Sequence, residues 1–180
     1  MSIMLRLRRS RRLVPLLGLS LLLSGARNPG EAPASTRGGQ LEVAVVGVFS
    51  DPHGQHGVLL EGKRDKRRFL MVIGAAEATA IAVPLENITP PRPLTHDLFM
   101  TVFGRLKVSV TKVVITDLRH NTYYATVYLS ADGSAMELDS RPSDAIALAI
   151  RAKVPVFAEE RVFDKSERVP GMPGGPGDRI

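Results

Sequence analysis

A polar cluster stands directly before a strongly apolar helical segment in this chain. Residues 139–144 contain two carboxylates, two hydroxyl groups and one guanidinium, and residues 145–150 are entirely apolar. An apolar helix has to be buried, so this segment requires a fold that covers it. The start of a helix leaves backbone N–H groups unpaired and carries partial positive charge. Ser143 and Asp144 are therefore expected either to cap this helix or to be presented there together with a bound anion.

The order of the remaining segments predicts one α+β domain. The chain has 180 residues, which is enough for a single domain with a proper core. Segments of strand composition are found at 41–50, 58–61, 69–73, 108–118, 122–129, 135–138 and 155–158. Three helices are predicted between them: one over 75–83, one that follows an N-cap at Thr95, and one over 144–152. The chain has no cysteine, which excludes disulfides, thiolate catalysis and cysteine-ligated metals.

The positive charge of the chain is concentrated at its amino terminus. The formal net charge is +6, but five of the 24 basic residues and none of the 18 acidic residues lie within 1–26. The remainder is close to neutral, so the charge is a weak argument for nucleic-acid binding. The five arginines precede an apolar run at 13–23, which is about half the ~20 residues of a membrane span. Small residues at Ser24 and Ala26 suit a signal-peptidase site.

These features predict that residues 1–26 form a cleaved export signal. A retained anchor or a misassigned start codon is the alternative. Residues 27–40 are predicted to be a flexible linker, residues 41–163 the folded domain, and residues 164–180 a disordered tail. The mature chain is then expected to have no membrane span and to be periplasmic or extracellular.

Five sequence blocks, in this order, resemble the bifunctional nuclease family of bacterial and plant proteins. The blocks are Gly74-Ala75-x-Glu77-Ala78, Pro91-Arg92-Pro93-Leu94-Thr95-His96-Asp97-Leu98, Tyr123-Tyr124-Ala125, Asp139-Ser140-Arg141-Pro142-Ser143-Asp144-Ala145-Ile146-Ala147-Leu148-Ala149, and Val154-Pro155-Val156-Phe157. The resemblance covers roughly residues 41–163, the whole part of the chain that is predicted to fold. The resemblance implies a mixed, half-barrel-like sheet with about three helices, a homodimer, and DNase and RNase activity as in the plant members.

The blocks contain carboxylates of the kind that phosphodiester hydrolysis uses. Carboxylates can hold Mg²⁺ or Mn²⁺, and such an ion activates water and stabilises an anionic phosphorus. Glu77, Asp97, Asp139 and Asp144 are the predicted metal ligands, and the three aspartates are also candidate catalytic residues. The structural alternative is that Asp97 and Asp144 are first-turn helix charges and that Asp139 is a capping residue.

Three more residues of these blocks are candidates for catalysis. His96 suits a general base, or it braces the connector after Pro93 by a hydrogen bond. Arg141 suits a bidentate phosphate clamp, or it forms an ion pair with Asp139, Asp144 or Asp97. Ser143 is a candidate because it lies in the same block. A basic turn at 63–68 either contacts a nucleic-acid backbone or is an ordinary solvated hairpin turn.

Two functions follow from these residues. The first is an exported nuclease that hydrolyses phosphodiester bonds of DNA and RNA with acidic residues and possible help from a metal ion. The second is a non-catalytic binding or dimerisation module that retains the fold. Convergence of the acidic residues in an open cleft favours the first, and their neutralisation by Arg141 in a dry interior favours the second.

Overall fold

The computed structural model describes residues 39–166, which form one seven-stranded sheet with four helices. The strands are β1 (Gln40–Ser50), β2 (His56–Gly62), β3 (Arg68–Ile73), β4 (Val108–Arg119), β5 (Thr122–Ala131), β6 (Ser134–Ser140) and β7 (Val156–Glu159). The helices are α1 (Ala75–Leu85), α2 (Thr95–Arg105), α3 (Pro142–Ala152) and α4 (Glu160–Lys165). The α+β class is confirmed. The predicted signal, most of the predicted linker and all but three residues of the predicted tail lie outside the described residues.

A short strand joins two antiparallel halves of the sheet. The strand order is β3-β2-β1-β7-β4-β5-β6, and Val156 of β7 pairs antiparallel with Val43 of β1 and parallel with Val113 of β4. The sheet is therefore mixed, as predicted. The Tyr123 ring of β5 stacks on Phe69 of β3 with ring centroids 6.1 Å apart. This contact shows that the sheet curves strongly. This curvature agrees with the predicted half-barrel.

Helix α3 lies at the centre of the core. Ala145, Ile146, Ala147 and Ala149 are completely buried, in the same cluster as core residues of β4 and β5. The alanines leave room for the sheet to approach closely on one side and for α1 on the other. The prediction that the apolar segment after the polar cluster is a buried helix is confirmed. No helix within residues 39–166 is long and apolar enough to cross a membrane.

Several element boundaries differ from the predictions for local reasons. Helix α3 begins at Pro142, two residues before the predicted start, because proline suits the first helical position. The N-cap of α2 is Leu94, and Thr95 is its first helical residue. The Asp97 carboxylate accepts a hydrogen bond from the Leu94 N–H at 2.7 Å and so stabilises this helix start. Helix α4 continues to Lys165, beyond the predicted domain end at 163.

Helix α2 exposes most of its apolar residues. Leu98, Phe99, Val102 and the following Leu106 are between 43% and 66% exposed, and no residue of the helix is fully buried. The three- and four-residue spacing of these residues and Phe103 predicts one face of a helix, and within this face only Phe103 packs against the core. Met100 and Phe103 are the half-buried α2 residues that pack against the core.

Strand β4 carries a buried carboxylate that anchors α4. Asp117 is 6% exposed, and Lys165 Nζ of α4 lies 2.7 Å from its Oδ1. Arg119 Nε lies 2.9 Å from Oδ2, and the Leu118 N–H donates to Oδ1. Burial acts to raise the pKa of Asp117, but the bonds from Lys165 and the Leu118 amide and the nearby Arg119 charge outweigh it and lower the pKa.

We expect Asp117 to contribute to acid destabilisation. A carboxyl group whose pKa is lowered by folding stabilises the fold above its unfolded pKa of about 3.9, and this contribution is lost as the pH falls through the folded pKa. The midpoint urea concentration of unfolding should therefore differ less between pH 6 and pH 3 in Asp117→Asn than in the wild type. The control is Asp164→Asn, an exposed carboxyl on α4, which should keep the wild-type pH dependence. Equal pH dependence in both variants would contradict the expectation.

Candidate functional site

The Arg141 side chain connects the starts of two helices. Its Nε lies 2.6 Å from Asp144 Oδ2 and its Nη2 lies 3.1 Å from Asp144 Oδ1, within the same helix start. Its Nη1 lies 2.9 Å from Oε1 of Glu77, in the first turn of α1. The side chain is nevertheless 65% exposed. A guanidinium has five N–H donors, so these contacts leave two donors unused toward the described residues.

Asp144 is also paired with His96. The distance from His96 Nε2 to Asp144 Oδ1 is 3.1 Å, and the imidazole side chain is 12% exposed. Burial acts to raise the pKa of Asp144, but the bonds from Arg141 and His96 lower it overall. An ionised carboxylate can only accept hydrogen bonds, so Nε2 carries the shared hydrogen. The neutral imidazole then has its lone pair on Nδ1, which can accept a proton.

Gly74 permits the position of Glu77. Gly74 is the N-cap of α1, and the Glu77 carboxylate folds back over it. A side-chain carbon at position 74 would collide with Glu77 Oε2, although that atom is at the end of a flexible side chain. The Gly-Ala-x-Glu block therefore places a carboxylate at the start of α1, where it meets Arg141.

Two open hollows border the Glu77–Arg141 pair. The first, called the His96 hollow, has a volume of about 580 Å³ and is also lined by His96, Asp144 and residues 93–95. The second, called the Tyr123 hollow, has a volume of about 440 Å³ and is lined by residues 71–74, 121–123 and 142–143. Glu77 and Arg141 line both hollows. The ion pair therefore stands at the boundary of two accessible spaces rather than in a dry interior.

Asp97 is committed to a structural ion pair. Its Oδ1 lies 2.6 Å from Nε of Arg151, whose side chain is only 6% exposed. Arg151 Nη1 also donates to the carbonyl oxygens of Ala80 in α1 and Ala147 in α3. Burial acts to raise the pKa of Asp97, but the Arg151 and Leu94 bonds lower it. Asp97 and Arg151 therefore connect α1, α2 and α3, which supports the structural alternative for Asp97.

Asp139 and Ser143 lie apart from the His96–Asp144 pair. Asp139 is an exposed residue of β6 opposite Thr126, and its side chain makes no hydrogen bond or ion pair to another described residue. It does not cap α3, whose N-cap is Arg141. Ser143 is buried and lines the Tyr123 hollow. The structure thus brings together Glu77, His96, Arg141 and Asp144, whereas Ser143 lines the Tyr123 hollow and not the hollow that contains His96.

The predicted metal ligands do not form one cluster. Within residues 39–166, no group of three or more His, Asp and Glu side chains could hold a metal ion. Glu77 and Asp144 are bonded to Arg141, Asp97 is bonded to Arg151, and Asp139 stands alone on β6. This donor set does not fit an Mg²⁺ or Mn²⁺ site built from the four residues together.

The basic turn between β2 and β3 is largely neutralised by acidic partners. Lys63 pairs with Glu42, Lys66 and Arg68 pair with Glu61, and Arg67 pairs with Asp65 and Glu160. This arrangement favours the interpretation as an ordinary hairpin turn over a nucleic-acid contact.

Neither the role of Arg151 nor the pairing of Glu77 with Arg141 was predicted from the sequence. Arg151 follows Ala147 by four residues on the buried helix α3, so its charge needed a partner inside the protein. This requirement could have identified Arg151 from the sequence as a residue that needs an acidic partner. The Glu77–Arg141 pair had no comparable signal, because it depends on how α1 packs against α3.

Comparison with known proteins gives one family. The sequence profile described as Bifunctional nuclease domain matches residues 58–170. An uncharacterized protein of Mycobacterium tuberculosis strain H37Rv is 38% identical over 123 residues, which are 68% of this chain and 73% of that protein. Bifunctional nuclease 1 of Oryza sativa subsp. japonica is 35% identical over 118 residues, which are 63% of this chain and 35% of the rice protein. Bifunctional nuclease 2 of Arabidopsis thaliana is 28% identical over 106 residues, which are 56% of this chain and 32% of that protein.

Proposed function

Because this chain belongs to the bifunctional nuclease domain family, we propose that it hydrolyses phosphodiester bonds of DNA and RNA at the His96 hollow. The observation that carries the proposal is an exposed Arg141 with two unused N–H donors beside a His96–Asp144 pair. An arginine with free donors suits a phosphate, and a histidine held by a carboxylate suits proton transfer. The relatives that are named bifunctional nucleases support the choice of substrate.

Each residue has a defined role in the proposed reaction. Arg141 binds non-bridging phosphate oxygens and stabilises the negative charge that grows on them as water attacks. His96 Nδ1 takes a proton from that water as the new P–O bond forms. Water on the opposite side of the phosphorus protonates the leaving oxygen as the old P–O bond breaks, and the imidazolium then releases its proton to solvent. Asp144 orients the ring and stabilises the imidazolium, as the carboxylate does in a catalytic triad. Glu77 and Asp144 together hold the guanidinium in place.

A direct assay tests the proposal. The purified protein is incubated with single-stranded DNA and with RNA in Mg²⁺, Mn²⁺ or EDTA, and cleavage is followed on gels. His96→Asn and Asp144→Asn should each lower kcat by about 10²- to 10⁴-fold, because both remove the general base or its orientation. The matched control is His53→Asn, since His53 is exposed in the turn between β1 and β2 and lines neither hollow. Full activity in either site variant would remove that residue from the mechanism.

The EDTA condition tests the predicted use of Mg²⁺ or Mn²⁺. No step of the proposed reaction passes through a metal ion, because the predicted ligands do not form a cluster within the described residues. Cleavage that continues in EDTA would support the reaction as written. Cleavage that stops in EDTA and returns with Mn²⁺ or Mg²⁺ would require a metal step in its place.

A non-catalytic binding module is the second candidate function. The near-neutral charge of the chain beyond residue 26 and the neutralised basic turn favour it. Absence of cleavage by the wild-type protein under all three conditions would support this module and overturn the nuclease proposal. Export directed by residues 1–26 and assembly as a homodimer stay predictions.

A further inference from the structure

We propose that the Tyr123 hollow binds the base and sugar of the nucleotide next to the cleaved phosphate, an inference that rests on the function proposed for the His96 hollow. The two hollows meet at Arg141 and Glu77. A phosphate bound by Arg141 therefore has the His96 hollow on one side and the Tyr123 hollow on the other. The second hollow is within the size range of small-ligand sites in proteins.

The two hollows differ in chemistry, as expected if hydrolysis takes place in the His96 hollow and the base and sugar bind in the Tyr123 hollow. Apart from the shared Glu77–Arg141 pair, the His96 hollow contains the ionisable His96 and Asp144, and the Tyr123 hollow contains no charged side chain. An apolar wall in the Tyr123 hollow, which includes Val72 and Ile73, suits the flat face of a base. Amide and hydroxyl groups there both donate and accept hydrogen bonds, as base edges and sugar hydroxyls require. These groups belong to Asn121, Thr122 and Ser143.

The boundary between the hollows also determines the form of the substrate. A chain that crosses Arg141 places consecutive nucleosides on opposite sides of an ion pair. Consecutive bases in a duplex are stacked about 3.4 Å apart, so they have to separate before they can occupy both spaces. Separation costs least in a single strand. We therefore expect single-stranded DNA or RNA to be cleaved faster than a duplex of the same sequence.

Two rim residues on opposite walls allow a test. Val72 of β3 is 61% exposed and Thr122 of β5 is exposed, so Val72→Glu and Thr122→Glu are compatible with folding and place a carboxylate where the nucleotide would lie. The matched control is Val46→Glu, another exposed strand valine, which lies outside both hollows. Each rim variant should raise KM for a single-stranded oligonucleotide roughly tenfold with little change in kcat, the signature of lost binding alone. Hydrolysis of bis(p-nitrophenyl) phosphate, a diester without a nucleoside, is measured on the wild type to show whether the hydrolytic chemistry requires a nucleoside.

The outcomes separate this inference from the proposed function. Wild-type cleavage with the same KM in Val72→Glu, Thr122→Glu and Val46→Glu would overturn the nucleotide site and leave the nuclease proposal intact. Equal cleavage of single strands and duplexes would also overturn it. If the wild type cleaves neither oligonucleotides nor the nitrophenyl diester, the nuclease proposal fails. The nucleotide site is then tested by ligand binding alone. Adenosine 5′-monophosphate should then shift NMR signals of residues 71–73 and 121–123 in the wild type and not in Val72→Glu, and an absence of shifts would overturn the site.

Discussion

Arg141→Ala should reduce phosphodiester cleavage by about 10²- to 10³-fold, the usual cost of removing one preorganised donor to a transition-state charge. Arg141 is the one guanidinium that lines both hollows within the described part of the chain. Its loss would remove the phosphate donors and leave the Glu77 and Asp144 carboxylates unneutralised beside an anionic substrate. Both effects act against substrate binding and against the transition state.

Two comparisons show whether the Arg141 effect is catalytic. Arg141→Lys keeps the charge but loses the planar fork of donors, so its activity should fall between the wild type and Arg141→Ala. Arg105→Ala removes an exposed arginine at the end of α2 that lines neither hollow, and its activity should remain near wild type. Kinetics with single-stranded RNA and unfolding in urea are measured on all variants. Wild-type kcat/KM in Arg141→Ala would exclude Arg141 from the reaction.

Asp97→Ala should destabilise the fold by about 3 kcal/mol, within the usual cost of removing one partner of a buried ion pair. Arg151 would keep its charge in a site where its side chain is 6% exposed, with only the Ala80 and Ala147 carbonyl oxygens as acceptors. The start of α2 would also lose the acceptor for the Leu94 N–H. The start of this helix carries His96, so the effect should extend to the candidate site.

Urea unfolding measures this effect, and two further variants identify its cause. Glu42→Ala breaks the exposed pair with Lys63 and should cost less than about 1 kcal/mol. The double variant Asp97→Ala/Arg151→Met removes both charges and should be more stable than Asp97→Ala alone, because no unpaired charge is left inside. A cost for Asp97→Ala no larger than that for Glu42→Ala would show that the pair does not hold the three helices together.

Local patterns in the sequence were sufficient for much of the fold. The apolar run after Asp144 predicts a buried helix, and α3 is the centre of the core. The irregular alternation near Lys112 predicts a bulge or a shift of face, and the register of β4 and β5 shifts between Val110 and Lys112. Each of these features depends on neighbouring residues and on water, so the pattern of a short segment is enough to predict it.

The candidate site could be predicted only in part, because its pairings join distant segments. Arg141 and Asp144 lie three residues apart in one block, and an ion pair between them was one of the alternatives predicted from the sequence. The contact between His96 and Asp144 requires α2 to lie beside α3, and the contact between Glu77 and Arg141 requires α1 to do so. The sequence also gives Asp97 and Asp144 the same first-turn position, although one is bonded to a buried arginine and the other borders a hollow.

The place of β7 in the sheet has a consequence for how the protein is made. Strands β1–β3 pair with one another, strands β4–β6 pair with one another, and the two groups are joined in the sheet by four residues close to the end of the described chain. A ribosome delivers those four residues after all the other strands, so both groups emerge from the exit tunnel before the segment that unites them. Without those four residues the chain would have two separate hairpin arrays with open edges, the kind of surface that pairs with other chains.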